Sequence, residues 1–392
     1  MNQLLYPPDT GGKIRSSQLF EQLKKDHHIT VVCFKRPRET KEQVELMSRA
    51  CHRLELVEKP ETPKFSPAFY AELAGNFLSG QPYIVQKYRD QRASRLLADL
   101  WREGDYDLLL CDFLQPSCNV LPLDITPKVL FQHNVESIIR KRQYQNEGNP
   151  VKRAVLRWQW QKLFAYEKRA AAAFDHCIMV SREDCQLMAE LYGAANTSSI
   201  PTGVDVDFFR PGGPEAEEPG LVFTGSMDWL PNQDAMSWFC DEILPLVREK
   251  VPARLWIVGR NPSPAMERLG GRPEVTVTGW VEDVRPFVHR AQVFVVPLRI
   301  GGGTRIKIFE AFAMQKAVVS TRVGAEGLPV ENGRDIRLAD EAADLAASIV
   351  GLLQNERERI RLGLAARKLV TENHTWEKVA RVFAESCRKA CA

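Results

Sequence analysis

Short apolar runs alternate with helix-length stretches along almost the whole chain. In the first half the runs are HITVVCF (28–34), LELVE (54–58), DLLLCD (107–112), KVLFQ (128–132) and HCIMVS (176–181). In the second half they are LVFTG (221–225), ARLWIVG (253–259), VTVTGW (275–280), VFVVPL (293–298), AVVST (317–321) and DIRL (335–338). All are rich in Val, Ile and Leu with little polar alternation, as in strands covered on both faces. The segments between them, such as Ser16 to Lys25 and Arg89 to Arg102, have the length of crossover helices. This predicts an α/β chain built on two doubly wound parallel sheets. From 200 to 220, IPTGVDVDFFRPGGPEAEEPG clusters Pro, Gly and acidic residues without an apolar period. A linker is therefore expected at 201–219, between an N-terminal domain at 1–200 and a C-terminal domain at 220–372. After Asp340 the pattern is helical only, and 373–392 is expected to form a helix crossing back to the N-terminal domain.

Length agrees, since 392 residues at roughly 150 per domain favour two sizeable domains. With 44% hydrophobic and 26% charged residues, and no short internal repeat, disordered, coiled-coil, solenoid and propeller classes are excluded. No run approaches the length of a membrane span, and MNQLLYPPDTGGK lacks the charged and apolar regions of a signal peptide, so a cytoplasmic chain is expected. Nine cysteines without a CxxC pair or zinc-ligand spacing fit reduced thiols and no metal site. The net charge of +3 does not imply nucleic acid, and no reader motif for it is present. The charge is uneven, however. Residues 138–169 carry nine Lys/Arg against Glu147 and Glu167, interleaved with Trp158, Trp160, Phe164 and Tyr166. That segment is a candidate for peripheral contact with an anionic membrane surface, the plain alternative being core aromatics and solvated cations.

Candidate chemistry gathers where strands end. PPDTGGKIR (7–15) places Gly11 and Gly12 immediately before a helix whose unpaired amides suit an anion, although a simple turn looks the same. FQHNVES (131–137) closes a strand with His133 and opens a helix for which Asn134 is the expected N-cap. Ser181 is expected to cap the helix beginning at Arg182. TGSMDWLPNQDAM (224–236) turns at Gly225 and Ser226 into a helix starting near Pro231 or Asn232, and IVGRNP brings Arg260 to a strand edge. The strongest cluster is VVPLRIGGGTRIKIFEAFAMQKAVVSTRVGAEGL (295–328). It holds Arg299, the triple glycine Gly301 to Gly303, and Thr304, Arg305 and Lys307 at the start of a helix. Cations there oppose the helix dipole unless an anionic ligand fills the gap. Glu310 follows Lys307 on the same face, where an exposed Glu–Lys pair is the plain alternative. Asp105-x-Asp107 precedes its strand and Asp205-x-Asp207 lies in the linker, so neither is expected to bind metal. Met236, Trp238 and Phe239 are expected in the core.

Together and in order, IPTGVDVDFF, GGGTRIKIFEAFAM and VSTRVGAEGL resemble glycosyltransferase family 4, retaining enzymes of the GT-B fold. With its YPPDTGGKIRS stretch, the chain looks most like the exosortase-associated sugar transferases, from Tyr6 to about Trp376. The resemblance implies two Rossmann-like domains facing across a cleft, with C-terminal helices packing back on both. It implies a metal-independent, cofactor-free transfer from a nucleotide-sugar donor to a polysaccharide, glycan or polyprenyl-linked acceptor in exopolysaccharide biosynthesis. By the same likeness His133 contacts the transferred sugar, Gly11 and Gly12 lie near the donor phosphates, and Glu310 matches the second glutamate of an E-x7-E motif that holds the ribose. Expected catalytic residues are His133, Glu310, Arg305 and Lys307. The expected donor site comprises Gly11, Gly12, Gly225, Ser226, Arg260, Arg299, Gly302, Gly303, Thr304 and Glu310.

Three departures qualify the likeness. Gly302 stands where the first glutamate of the motif is expected. Ser226 stands where an Arg is expected and no Lys lies between Gly225 and Ala235, which leaves Arg260, Arg299, Arg305 or Lys307 to meet the phosphates. The first strand of the N-terminal domain, which normally precedes YPPDTGG, is cut to a few residues. Two rivals follow: a nucleotide-sugar epimerase of the same fold, and a non-catalytic nucleotide-sugar-binding subunit.

Overall fold

A computed structural model describes residues 1–63, 66–212, 219–300 and 306–391. The chain divides into two compact units, one of Met1–Pro201 with Val379–Ala392 and one of Thr202–Lys378. The last helix, Trp376–Cys391, begins in the second unit and ends in the first.

The first unit contains β1 (Thr30–Lys35), β2 (Arg53–Glu58), β3 (Leu109–Asp112), β4 (Lys128–Phe131), β5 (His176–Met179) and β6 (Thr197–Ser199). β1 pairs with β2, and β3-β4-β5-β6 form a separate parallel sheet. β5 is buried throughout, as its continuous apolar run predicts. β6 reads TSS and is only half-buried, so no apolar run marked it; its pairing with β5 defines it. Residues 1–6, where a short first strand was expected, form no strand but lie against β1. The Met1 ammonium donates to the Val32 carbonyl at 2.7 Å, the Phe34 N–H donates to the Met1 carbonyl, and Leu4 and Leu5 are fully buried. Beyond it a cavity of about 680 Å³ is lined by Val31, Cys33, Leu100, Leu109, Cys111 and Phe383. Phe383 of the last helix lies edge-on to Phe131 at the end of β4, 5.1 Å between centroids.

The second unit is one six-stranded parallel sheet of β7 (Gly220–Thr224), β8 (Arg254–Val258), β9 (Val275–Val277), β10 (Val293–Val296), β11 (Ala317–Ser320) and β12 (Arg337–Leu338). The spatial order is β12-β11-β10-β7-β8-β9. Chain order therefore runs outward in opposite directions from the β7–β10 pair, and the carboxyl ends of those two strands flank the switch-point crevice where open α/β sheets bind ligands. Met236, Trp238 and Phe239 are buried in this unit's core, as expected. The helices Ala342–Gln354, Glu356–Asn373 and Trp376–Cys391 account for the helical tail. No helix among the described residues is long and apolar enough to cross a membrane.

Candidate functional site

In the first unit, β3 and β4 pair in parallel with Asp112 opposite Phe131. The register carries Asp112 and His133 to the same carboxyl end. His133 Nε2 lies 2.8 Å from Asp112 Oδ1, and the Ser16 hydroxyl donates to Asp112 Oδ2 at 2.8 Å. Phe113 adopts φ +70, a costly conformation for a bulky residue, and its ring stacks on the imidazole at 4.1 Å. Burial pushes the imidazole below its ordinary pKa of 6.5, more strongly than Asp112 pulls it up. A neutral ring donating Nε2–H to the Asp112 carboxylate leaves Nδ1 as an acceptor. Nδ1 is buried and has no hydrogen-bond partner.

Nδ1 looks toward Gly12. A Cβ on that glycine would stand 3.6 Å from Nδ1 and 2.9 Å from the Phe113 ring, so a side chain there would crowd the imidazole. Gly11 and Gly12 do not precede the helix, as the sequence suggested; Gly11–Leu23 is the helix, and they are its first two residues. Their amides belong to the turn that has no intrahelical acceptors. Arg15, one turn on, is buried and pushed down to about 10 by desolvation while Asp184 and Asp112 pull it up, so it stays charged at neutral pH.

The helix after His133 starts at Glu136, and the expected Asn134 cap is not made. Instead, buried Glu167 of the helix Pro150–Ala173 accepts from the Glu136 and Ser137 amides, both at 2.9 Å, and from the Tyr192 hydroxyl at 2.6 Å. A carboxylate from a distant helix thus does what the local side chain does not. Ser181 does cap its helix, accepting from the Asp184 amide at 3.0 Å.

In the second unit, the turns after β7 and β8 touch backbone to backbone, since a Cβ on Gly259 would stand 1.8 Å from the Gly225 carbonyl oxygen. Gly225 likewise leaves room for two side chains. Asn232 Nδ2 and Lys307 Nζ would each be 2.7 Å from a Cβ placed there. Lys307 reaches this turn from the helix Ile306–Ala313, donating to Asn232 Oδ1 at 3.3 Å and lying 4.0 Å from the Phe223 ring centroid. Lys307 thus brings a cation from another element to the turn after β7. Arg260 Nε donates to the Ser226 hydroxyl at 3.2 Å, so a second cation meets the same turn. Glu310 is half-buried; desolvation pushes its carboxyl up to about 7 while Lys307 pulls it down.

Arg299 does not join them. Its guanidinium is forked on Asp234 at 2.6 and 3.1 Å and lies 4.9 Å from the Trp238 ring centroid, so its charge is already matched. Gly302, Gly303, Thr304 and Arg305 lie outside the described residues. Among the described residues no group of three His, Cys, Asp or Glu is arranged to hold a metal. Asp112, Ser16, Phe113 and Asn232 escaped sequence reasoning. For Asp112 a signal existed, because DLLLCD ends a buried strand on a carboxylate at the end where ligands bind.

Residues 16–208 match the model of Glycosyltransferase Family 4, and residues 218–355 match that of Glycosyl transferases group 1. A 44.6 kDa protein of the cps region of Klebsiella pneumoniae is 21% identical over 97% of both chains. The GDP-mannose-dependent alpha-(1-6)-phosphatidylinositol monomannoside mannosyltransferase of Mycobacterium tuberculosis is 30% identical over 61% of this chain and 65% of its own. Among solved structures, Anabaena HepE in complex with UDP-glucose superposes with a TM-score of 0.67 at 13% identity, covering 98% of this chain and 97% of that one. With both halves matched in order and the GT-B fold in place, the chain belongs to glycosyltransferase family 4.

Proposed function

We propose that this glycosyltransferase moves a hexose from a nucleotide-sugar to a glycan or polyprenyl-linked acceptor with retention of anomeric configuration. The observation that carries the reading is the convergence of Lys307 and Arg260 on the Gly225–Ser226 turn, beside the switch point of the second unit's sheet. Two cations at a turn whose glycine carries no side chain suit a diphosphate. Glu310 accepts hydrogen bonds from the ribose hydroxyls, and His133 Nδ1 accepts one from a hydroxyl of the sugar. The bond from the anomeric carbon to the leaving phosphate oxygen breaks with its electron pair passing to the phosphate. The acceptor oxygen bonds to that carbon from the same face, and its proton goes to the leaving phosphate. Lys307 and Arg260 stabilise the charge that develops, so the reading needs no metal.

The nucleotide-sugars named for the mycobacterial and Anabaena relatives support a donor of this class. The YPPDTGGKIRS stretch and the cps-region relative favour a role in exopolysaccharide assembly. A polyprenyl-linked acceptor is met at a membrane, which residues 138–169 would approach from the cytoplasmic side.

Incubation with nucleotide-sugars, with and without a lipid-linked acceptor, tests the reading. Acceptor-dependent nucleotide release, with retention seen in the product by NMR, is the expected result. Release without acceptor would mark an epimerase, and binding without release a non-catalytic subunit.

A further inference from the structure

The aromatics of residues 138–169 are engaged in packing. Tyr166 is buried with its hydroxyl 2.7 Å from Ser117, Trp160 lies between Tyr144 and Phe164, and Trp158 stacks on Phe77 at 4.2 Å. They are therefore not a free aromatic face. The stacking on Phe77 nonetheless leads to an apolar face that the sequence pattern did not mark.

Phe77 ends the helix Pro67–Phe77, PAFYAELAGNF, which is apolar on nearly every side. Phe69, Leu73 and Asn76 face inward. Phe69 lies edge-on to Tyr83, and buried Asn76 accepts from Gln159 Nε2 at 2.7 Å. The outer face is Tyr70, Ala71, Ala74, Phe77 and then Leu78, all exposed: Tyr70 and Phe77 at 55% and Leu78 at 96%. Glu72, its one acidic residue, is engaged by the Tyr83 hydroxyl at 2.8 Å. A helix this apolar is normally buried, and a contiguous exposed apolar face marks an interaction surface.

Through Trp158 the face continues onto the helix Pro150–Ala173. Val151, 73% exposed, Ala154 and Trp158 share one side of that helix at helical spacing. Exposed Arg153 and Arg157 flank the stripe on one side and Lys152 on the other; Lys162 Nζ lies 3.5 Å from the Trp158 ring centroid. Of the nearby carboxylates, Glu147 is paired with Lys152 at 2.5 Å and Glu167 is buried. With Lys152 matched by Glu147, an apolar face bordered by Arg153 and Arg157 fits a membrane whose headgroups are anionic and whose interior is hydrocarbon.

We propose that the exposed face of Pro67–Phe77, with Leu78 and Val151, inserts into an anionic lipid surface while Arg153 and Arg157 hold the headgroups. This deepens the membrane contact proposed above and rests on that reading.

The test is sedimentation of the full chain with vesicles of phosphatidylglycerol and phosphatidylcholine in equal parts, and with phosphatidylcholine alone, at low and high salt. Binding to the anionic vesicles only, weakened by salt, is expected. Arg153→Ala with Arg157→Ala should weaken it roughly 20- to 30-fold at low salt, and Tyr70→Ser with Leu78→Ser at least about tenfold. Because Leu78 and Tyr70 are exposed, the serine variant should keep the wild-type circular dichroism and nucleotide affinity. Wild-type vesicle binding by the serine variant would overturn the inserted face while leaving membrane contact standing. No vesicle binding by the wild type, or self-association through this face seen by analytical ultracentrifugation in its place, would overturn both. Sugar transfer to a soluble acceptor is unaffected by either outcome.

Discussion

Asp112 and His133 meet at the carboxyl ends of neighbouring parallel strands, Oδ1 2.8 Å from Nε2, and the contact decides which imidazole nitrogen is left for a ligand. With Nε2–H committed to the carboxylate, Nδ1 is the acceptor turned toward Gly12. Asp112→Asn keeps the shape but no longer fixes that tautomer. It is expected to lower kcat about ten- to a hundredfold, equivalent to about 1.5 to 3 kcal/mol for a hydrogen bond to a charged group. Binding of the nucleoside diphosphate alone should be unchanged. Steady-state kinetics and calorimetry decide it, and an unaltered kcat would show that Asp112 does not position His133.

Glu310 gives a pH dependence with a definite sign. Its folded pKa is raised from 4.5 to about 7, so whatever stability it contributes is fully present below 4.5 and is lost as pH rises through about 7. The carboxylate form proposed to meet the ribose is then the form that burial disfavours. Donor KM should fall as pH rises through about 7, and Glu310→Gln should abolish that limb and lower kcat/KM at least about tenfold. The same variant should melt no lower than the wild type at pH 8. A Gln variant with wild-type kinetics would remove Glu310 from the site.

For Lys307, the discriminating comparison is between a nucleoside diphosphate and its nucleoside. Lys307→Ala should weaken the diphosphate by about tenfold or more and leave the nucleoside nearly unaffected, because only the former presents the charge. Isothermal titration of both ligands reads this directly. Equal losses would mean that the ammonium serves only to pack between Asn232 and Phe223. The companion change, Arg299→Ala, should alter neither ligand, since that guanidinium is held by Asp234.

Two glycines provide a contrast in stability. Gly259→Ala puts a methyl 1.8 Å from the Gly225 carbonyl oxygen, a backbone atom that cannot swing away, and should cost about 1 to 3 kcal/mol or more along with diphosphate affinity. Gly75→Ala, in the helix Pro67–Phe77 with nothing within 4 Å of the added carbon, should stabilise by about 0.5 to 1 kcal/mol. Denaturant unfolding of the two variants tests both signs. A neutral Gly259→Ala would show that the two turns can separate freely.

What the sequence determined by itself was the periodic part. Eleven apolar runs became strands because a parallel strand covered on both faces needs an unbroken Val, Ile and Leu run, and such a run is visible without knowing its neighbours. Among the strands of the described residues, Thr197–Ser199 alone escaped, a strand defined by what it pairs with. The glycine turns and His133 were legible for a related reason: they sit at strand ends, and a strand's end can be read from the chain. Tertiary structure alone decided the partners. Nothing local tells that Asp112 bonds His133, 21 residues away, or that Lys307 reaches the turn after β7. Nor does Asn134 reveal that Glu167 will cap its helix. These contacts join segments far apart in sequence, so they depend on strand order and register, and those are set by the packing of the whole unit rather than by any pattern a single stretch can carry.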